Sequence, residues 1–151
     1  MTVSPFFPQP VEASSVNITL NPIDVAMLFE QAQKEDAGGV VLFSGTVRNH
    51  HGGRAVSYLE YETFQPLALH TMREIVASAQ TKWSLSHVHC THRIGKLEIG
   101  ESAIVVVTAH THRAQAYEAN QYIMDRIKSE VPIWKNEFFA DGTSAWGNNV
   151  K

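Results

Sequence analysis

The chain has 151 residues, of which 44% are hydrophobic, so it can bury the core of one domain of ordinary size. Its formal net charge of −3 argues against a nucleic-acid-binding protein, which would normally carry an excess of basic residues. A single cysteine, Cys90, excludes an intrachain disulfide and fits a reducing compartment. There is no secretory signal pattern and no apolar run near the ~20 residues that span a bilayer, so we expect a cytoplasmic protein without a membrane segment.

The N-terminal half predicts an arm, a strand, a helix and two further strands. Residues 1–15 contain three prolines, so we expect a flexible arm and place the single domain at 16–151. Asn21 is a suitable N-cap with Pro22 at the first helical position, which predicts a helix to roughly Lys34. Alternating or β-branched residues predict strands at 16–20, 40–49 and 55–63. The last two strands are expected to pair as a hairpin with a long, glycine-bearing tip.

The C-terminal half predicts two longer helices separated by strands. Pro66 opens a helix that ends near Trp83. The next helix should begin after Thr111 as N-cap and end at Val131, because a proline disfavours helical geometry at the preceding residue. The remaining extended segments are 87–95, 103–110, 133–139 and 143–146, with a turn-containing connection at 96–102. Hairpins mixed with helices favour an α+β fold, with two layers, a mostly antiparallel sheet and three helices.

Two lysines flank the proline at which the last predicted helix ends. Lys128 lies at the border of the apolar helix face, and Lys135 follows in the extended segment. If the chain folds back at Pro132, both amines can reach one pocket. Each lysine taken alone more often covers apolar surface with its stem and keeps its charge in water.

Basic residues at two other places suit an anion. His112 and Arg113 lie at the start of the last predicted helix, where free N–H groups and the helix dipole attract negative charge. Arg48 ends a predicted strand beside a glycine-bearing loop, and its planar guanidinium can bind a phosphate with two hydrogen bonds. The simpler interpretation of each is a solvated surface charge.

Eight histidines raise the question of a metal site. His87 and His89 share one face of a predicted strand, and His110 and His112 could do likewise. No HExxH motif or pair of CxxC motifs is present, so we expect no metal site and no bound cofactor. A metal-dependent phosphoesterase that uses these histidines is the corresponding alternative.

Several motifs resemble the catalytic (large) subunit of molybdopterin synthase. They are F-S-G-T-V-R-N-H at 43–50, H-R-I-G at 92–95, H-R at 112–113, A-Y-E-A at 116–119, I-M-D-x-x-K at 123–128 and P-I-W-K-x-E at 132–137. The resemblance covers roughly residues 38–146 and implies an α/β-hammerhead arrangement. It also implies a sulfurtransferase reaction, in which a small ubiquitin-like subunit with a C-terminal Gly-Gly thiocarboxylate supplies sulfur. The acceptor would be cyclic pyranopterin monophosphate, converted to the dithiolene of molybdopterin.

The resemblance also implies roles for individual residues. Lys128 and Lys135 would be catalytic, with the roles of base, nucleophile and charge stabiliser left open between them. Arg48 would bind the substrate's phosphate together with His112 and Arg113 of a neighbouring protomer, so the site would span a homodimer at the centre of a heterotetramer. Phe43 and Met124 are further candidates for contact with the substrate, and Trp134 and Glu137 for contact with the partner's tail. The alternatives are core packing for the three apolar side chains and, for Glu137, orientation of Lys135 or a solvated carboxylate. A non-catalytic binding module for such a tail is the second alternative.

One feature of the sequence bears on the source of sulfur, and one departs from the family. Cys90 lies within an alternating strand and is expected to be buried and inert, so sulfur should arrive from outside the chain. Asn136 stands where a basic residue is common in the family, which would weaken contact with an acidic tail of the partner.

Overall fold

The computed structural model describes residues 14–148, which form three helices and nine strands in that part of the chain. The helices are α1 (Val25–Gln31), α2 (Gln65–Trp83) and α3 (Arg113–Glu130). The strands are β1 (Ser14–Thr19), β2 (Gly39–Thr46), β3 (His50–His51), β4 (Arg54–Thr63), β5 (His87–Arg93), β6 (Gly95–Glu98), β7 (Ser102–His110), β8 (Ile133–Phe139) and β9 (Ser144–Asn148). The prediction of an α+β fold with three helices is confirmed.

The described strands form two sheets where the sequence predicted one. The first has the order β1-β5-β7-β2, and the second has the order β3-β4-β8-β9 with β6 beside β4. Pairing is antiparallel except between β1 and β5, so the predicted antiparallel character is confirmed. No helix within residues 14–148 is both long and apolar enough to cross a bilayer.

The predicted hairpin between residues 40–49 and 55–63 is wrong, because these strands belong to different sheets. β2 pairs with β7, while β4 pairs with β8. Gly52 and Gly53 instead close a two-residue turn between β3 and β4, with φ angles of 57° and 77° that favour glycine. The connection predicted at 96–102 also contains part of a strand, β6, which pairs with β4.

Two predicted helix caps are wrong. Asp24, and not Asn21, caps α1, and its Oδ1 accepts a hydrogen bond from the Met27 amide at 3.1 Å. Thr111 does not cap α3, because its hydroxyl donates to the Asp36 carbonyl at 3.0 Å. His112 is the N-cap residue there, without a side-chain capping bond.

The N-terminal boundary also differs from the prediction. β1 begins at Ser14, inside the segment predicted as an arm, and the rest of that arm lies outside the described residues. Residues 149–151 also lie outside them.

Polar side chains hold α3 over β2 and β7. The predicted apolar face of the helix is buried, and Asn120 lies within that face. Its amide donates to the carbonyls of Val41 at 3.2 Å and Val106 at 3.0 Å. The Thr108 hydroxyl donates to the Ala116 carbonyl at 2.7 Å. Buried polar groups with such partners fix one orientation of the helix, and with it the direction of its last turn.

The C-terminal end of α3 is the feature that the sequence predicted most closely. The helix ends at Glu130, and Val131 has extended dihedrals of −81° and 127°, as expected before a proline. The Thr63 hydroxyl donates to the Pro132 carbonyl at 2.6 Å, at the point where β8 begins to pair with β4. The chain therefore folds back at Pro132, which meets the condition under which both lysines can reach one pocket.

Candidate active site

A cavity of about 310 Å³ lies where the C-terminal end of α3 meets both sheets. It takes side chains from α3, from β2, β3, β4, β5, β7 and β8, and from the segment between β2 and β3. Six of the nine site residues predicted from the sequence line it: Phe43, Arg48, Met124, Lys128, Lys135 and Glu137. The expectation that Lys128 and Lys135 reach one pocket is confirmed.

The register between β4 and β8 explains which residues face the cavity. Tyr61 lies directly opposite Lys135, and Leu59 lies opposite Glu137. All four line the cavity, since side chains at alternate positions share a face of the sheet. Trp134 therefore points away from Lys135 and is absent from the cavity lining.

Asn136 shares the opposite face of β8 with Trp134. It pairs across the sheet with Glu60 and Trp146. Its side chain is buried, and its Oδ1 has no hydrogen-bond partner within the part of the chain that the structure describes. A contact between position 136 and anything bound in the cavity is not favoured by this geometry.

Glycine at position 45 keeps one wall of the cavity open. A Cβ placed there would lie 2.8 Å from Cγ2 of Ile104 and 3.4 Å from Cε2 of Phe43. The first distance is below van der Waals contact, so even an alanine would push into neighbouring side chains. This gives the glycine of the F-S-G-T motif a physical role that the sequence alone did not indicate.

Two buried groups beside the lysines were not predicted as site residues. Burial, with the negative charge of Glu137, raises the pKa of Tyr61 to about 12. Burial also lowers the pKa of His92 to about 4, and the nearby charge of Lys128 acts in the same direction. The ring edge of one packs against the other, with centroids 5.2 Å apart and an interplanar angle of 74°. Both groups are uncharged at neutral pH.

Glu137 is held by a residue from the short β3 strand. Its Oε1 lies 2.5 Å from Nδ1 of His51. The His51 side chain is 49% exposed while that of Glu137 is 9% exposed, so the pair stands at the edge of the cavity. This contact ties the turn between β3 and β4 to β8. The spacing of residues in the sequence gives no sign of it, because the two partners come from strands far apart along the chain.

A second, more open groove of about 480 Å³ runs between β2 and α3. It shares Phe43, Met124 and Lys128 with the first cavity, so these three side chains stand between the two spaces. Tyr117, 63% exposed, lies further along the groove toward the start of α3. A molecule longer than the first cavity could therefore extend along the helix.

His112 and Arg113 lie at the other end of α3 and do not line either space. Lys128 follows Arg113 by fifteen residues (128 − 113), a helical rise of about 22 Å. Gly39 lets the helix start approach β2 closely, since a Cβ there would lie 3.0 Å from Cα of Arg113. Within one chain, the two predicted catalytic lysines therefore lie far from His112 and Arg113.

The other histidines do not form a metal centre in the part of the chain that the structure describes. No group of three or more His, Cys, Asp or Glu side chains there is arranged to hold an ion. The rings of His110 and His112 lie 5.9 Å apart, and the His112 amide donates to Nδ1 of His110 at 2.9 Å. His89 faces away from the cavity, in a depression under α1 that also contains Thr91.

Cys90 is buried, as predicted. Burial raises the pKa of its thiol to about 12, so it stays protonated and unreactive at neutral pH.

Comparison with known proteins identifies the family. The profile of the family described as MoaE protein matches residues 18–130. The chain belongs to the MoaE family. The molybdopterin synthase catalytic subunit of Bacillus subtilis is 40% identical over 134 residues, which cover 89% of this chain and 85% of that protein. The rat molybdopterin synthase catalytic subunit is 34% identical over 134 residues, covering 89% and 67%.

Solved structures agree with this assignment. The crystal structure of molybdopterin synthase from Staphylococcus aureus aligns with a TM-score of 0.81 at 37% identity, covering 87% of this chain and 95% of that one. The MoaE protein from Burkholderia ambifaria aligns with a TM-score of 0.77 at 26% identity, covering 91% of each chain. The resemblance to the molybdopterin synthase large subunit inferred from sequence motifs is therefore confirmed.

Proposed function

We propose that this MoaE chain catalyses sulfur transfer from the C-terminal thiocarboxylate of a small ubiquitin-like subunit to cyclic pyranopterin monophosphate, forming the dithiolene of molybdopterin. Its curated relatives are named molybdopterin synthase catalytic subunits. The observation that carries the proposal is the single cavity that collects Lys128, Lys135 and Arg48, with the Glu137 carboxylate also in its lining. Two ammonium groups and a guanidinium there suit a thiocarboxylate and a phosphate, which are both anions.

The two lysines have different roles in the reaction of the acyl group. When the thiocarboxylate sulfur bonds to the substrate carbon, a carbon–oxygen bond at that carbon breaks with its electron pair leaving on oxygen, and the tail becomes a thioester. The acyl–sulfur bond then breaks as water or a lysine amine attacks the acyl carbon, with the electron pair leaving on sulfur. A neutral lysine can act as the base or the nucleophile, while a protonated one stabilises the negative charge that develops on oxygen. Lys128 is our choice for the more direct role, because it stands between the cavity and the groove along α3.

The chain has no sulfur donor of its own in the described residues that could replace the small subunit. Cys90 is fully buried as a protonated thiol, on a strand enclosed by neighbouring strands. The tail of a ubiquitin-like subunit is narrow near a Gly-Gly terminus, because glycine has no side chain. Such a tail could lie in the groove between β2 and α3 and reach Lys128. The first cavity, on the other side of Lys128, would then hold the pterin.

The substrate's phosphate would be bound by residues of two chains. Arg48 is exposed at the cavity, whereas His112 and Arg113 are exposed at the far end of α3. A second copy related by a twofold axis could place its helix start beside the first copy's cavity, giving two equivalent shared sites. This arrangement is the homodimer, with one small subunit on each outer side, that the sequence motifs imply.

The direct test mixes the purified chain with a thiocarboxylated small subunit and cyclic pyranopterin monophosphate, and follows the dithiolene product. Formation of product at a rate that depends on the thiocarboxylate supports the proposal. A small subunit that ends in an ordinary carboxylate is the matched control. Tight binding of the small subunit without product would mean that the chain is a binding module and not the sulfurtransferase.

A further inference from the structure

His92 lines the cavity although its side chain is buried. It is the first residue of the H-R-I-G segment, near the end of β5, and is 2% exposed. Despite that burial it belongs to the cavity lining, together with Lys128 and Tyr61. A polar ring enclosed this fully must have its nitrogen atoms satisfied or directed at something the site uses.

The hydrogen bonding of His92 fixes which nitrogen carries the proton. Its Nδ1 lies 2.7 Å from the carbonyl oxygen of Arg93. A carbonyl can only accept, so Nδ1 donates, and the neutral ring keeps an unprotonated Nε2. The Arg93 backbone is itself anchored, because the Arg93 guanidinium binds Glu101 at 2.8 Å and the Leu20 carbonyl at 3.1 Å.

The surroundings of the ring keep it neutral. Burial lowers the pKa of His92 to about 4 against the opposing effect of its hydrogen bond to the Arg93 carbonyl, and the positive charge of Lys128 opposes protonation further. The Tyr61 ring packs edge-on against it and is itself uncharged at neutral pH. His92 is consequently a weak base, but it offers a lone pair that does not change with pH across the physiological range.

We propose that His92 is a positioning residue for Lys128, presenting Nε2 as a fixed, uncharged hydrogen-bond acceptor that directs the lysine side chain into the cavity. This inference rests on the catalytic role proposed above for Lys128. No proton passes to His92 in this scheme. A long, exposed lysine side chain loses rotamer freedom when it is held, and a built-in acceptor at its tip restricts the amine to geometries from which it can reach the acyl carbon.

The test combines a spectroscopic arm with a kinetic arm, using the full chain. Long-range proton–nitrogen correlation spectra of the imidazole should show His92 with a protonated Nδ1 and a bare Nε2 from pH 6 to 8. Replacing Lys128 by methionine should shift the Nε2 resonance and leave the Nδ1 resonance nearly unchanged. An Nε2–H tautomer, an imidazolium, or an Nε2 resonance insensitive to Lys128→Met would overturn the proposal.

The kinetic arm compares variants at the same position with a matched control. His92→Phe keeps the ring that packs on Tyr61 and should lower kcat at least about tenfold, with the KM for the small subunit nearly unchanged. His92→Gln, whose amide oxygen can replace the acceptor, should recover part of that loss. His89→Phe, a buried histidine on the opposite face of β5, should change kcat little. Full kcat in His92→Phe would contradict the proposal.

The two arms separate failure of this inference from failure of the proposed function. If the wild-type chain forms no dithiolene, the sulfur-transfer proposal fails, and the spectra alone decide whether His92 contacts Lys128. If the wild-type chain is active but the spectra show no Lys128 dependence at Nε2, sulfur transfer stands and the positioning role is rejected.

Discussion

The two ends of α3 differ in how the rest of the chain surrounds them. At the C-terminal end, Lys128 shares an enclosed cavity with side chains from both sheets, and the proline turn brings Lys135 back beside it. At the N-terminal end, His112 and Arg113 are exposed and line neither of the spaces found near the lysines. One end is thus enclosed within a single chain, and the other presents its basic groups at the surface.

The two ends show that a surrounding cavity and a surface charge contribute to a site in different ways. The end at the cavity sets Lys128 beside the buried side chains of Tyr61 and His92, where charges interact more strongly than in bulk water, which suits bond making and breaking. The open end offers helix-terminal N–H groups and a guanidinium, which suit binding of a phosphate brought by a substrate. Since about 22 Å of helix separates Arg113 from Lys128, both ends can serve one molecule only if they come from two chains.

The largest expected effect is at the enclosed end. Lys128→Ala and Lys135→Ala should each reduce kcat by at least about a hundredfold, because each removes a group that acts on the acyl carbon or its oxygen. Binding of the small subunit, measured by calorimetry, should change much less. Lys34→Ala, at an exposed position after α1, is the control. Near wild-type kcat in both cavity variants would mean that the reaction does not take place at this end of α3.

A smaller effect, on binding, is expected at the open end. Arg113→Ala should raise the KM for cyclic pyranopterin monophosphate by roughly tenfold, because charge-assisted hydrogen bonds contribute about 1.5–3 kcal/mol. Its kcat at saturating substrate should change less than its KM. Arg73→Ala, an exposed arginine of α2, is the matched control. A loss confined to kcat would mean that Arg113 acts in the reaction step and not in binding. The two ends of α3 would then not differ in role.

The smallest effect concerns stability in acid. Burial lowers the pKa of both His89 and His92 to about 4, so the unfolded chain binds more protons than the folded chain below the ordinary histidine pKa. The free energy of unfolding should therefore be fully retained above about pH 6.5 and fall as the pH drops toward 4, by roughly 1–3 kcal/mol for each histidine.

Denaturant titrations between pH 4 and pH 7 check this. His92→Phe should show a shallower loss of stability with falling pH than the wild type. His70→Gln, whose histidine side chain is 68% exposed, should keep the wild-type slope. An equal slope in His92→Phe would mean that His92 is not neutral in the folded chain.

How much the sequence could predict depended on whether a feature is local. The end of α3 at Val131 follows from the proline itself, so the sequence was enough to predict it. The return that brings Lys135 beside Lys128 was only a condition in the sequence, because it depends on the pairing of β8 with β4. The partition of strands between two sheets was not predictable in this way, because pairing of β2 with β7 rather than β4 depends on contacts far apart in sequence.

The same contrast applies to the candidate site. Alternation along β8 could have separated Trp134 from Lys135, since neighbouring residues of a strand face opposite sides. His92 and Tyr61 were less clearly indicated as site residues by the sequence. Each lies in a strand whose pattern indicates burial, and only the contact between their rings and the shared cavity makes them neighbours of Lys128. The cap at Asp24 was missed because Asn21 and Pro22 gave a competing local signal.

The most direct test of the two-chain account is complementation between damaged protomers. Lys128→Ala and Arg113→Ala chains would be unfolded together, refolded as a mixture, and assayed for dithiolene at limiting substrate. Random pairing makes half of the dimers mixed, and one of the two shared sites in each mixed dimer is then intact, so activity should recover to roughly a quarter of wild type. Activity no higher than the average of the two separately refolded variants would contradict a site shared between the two ends of α3.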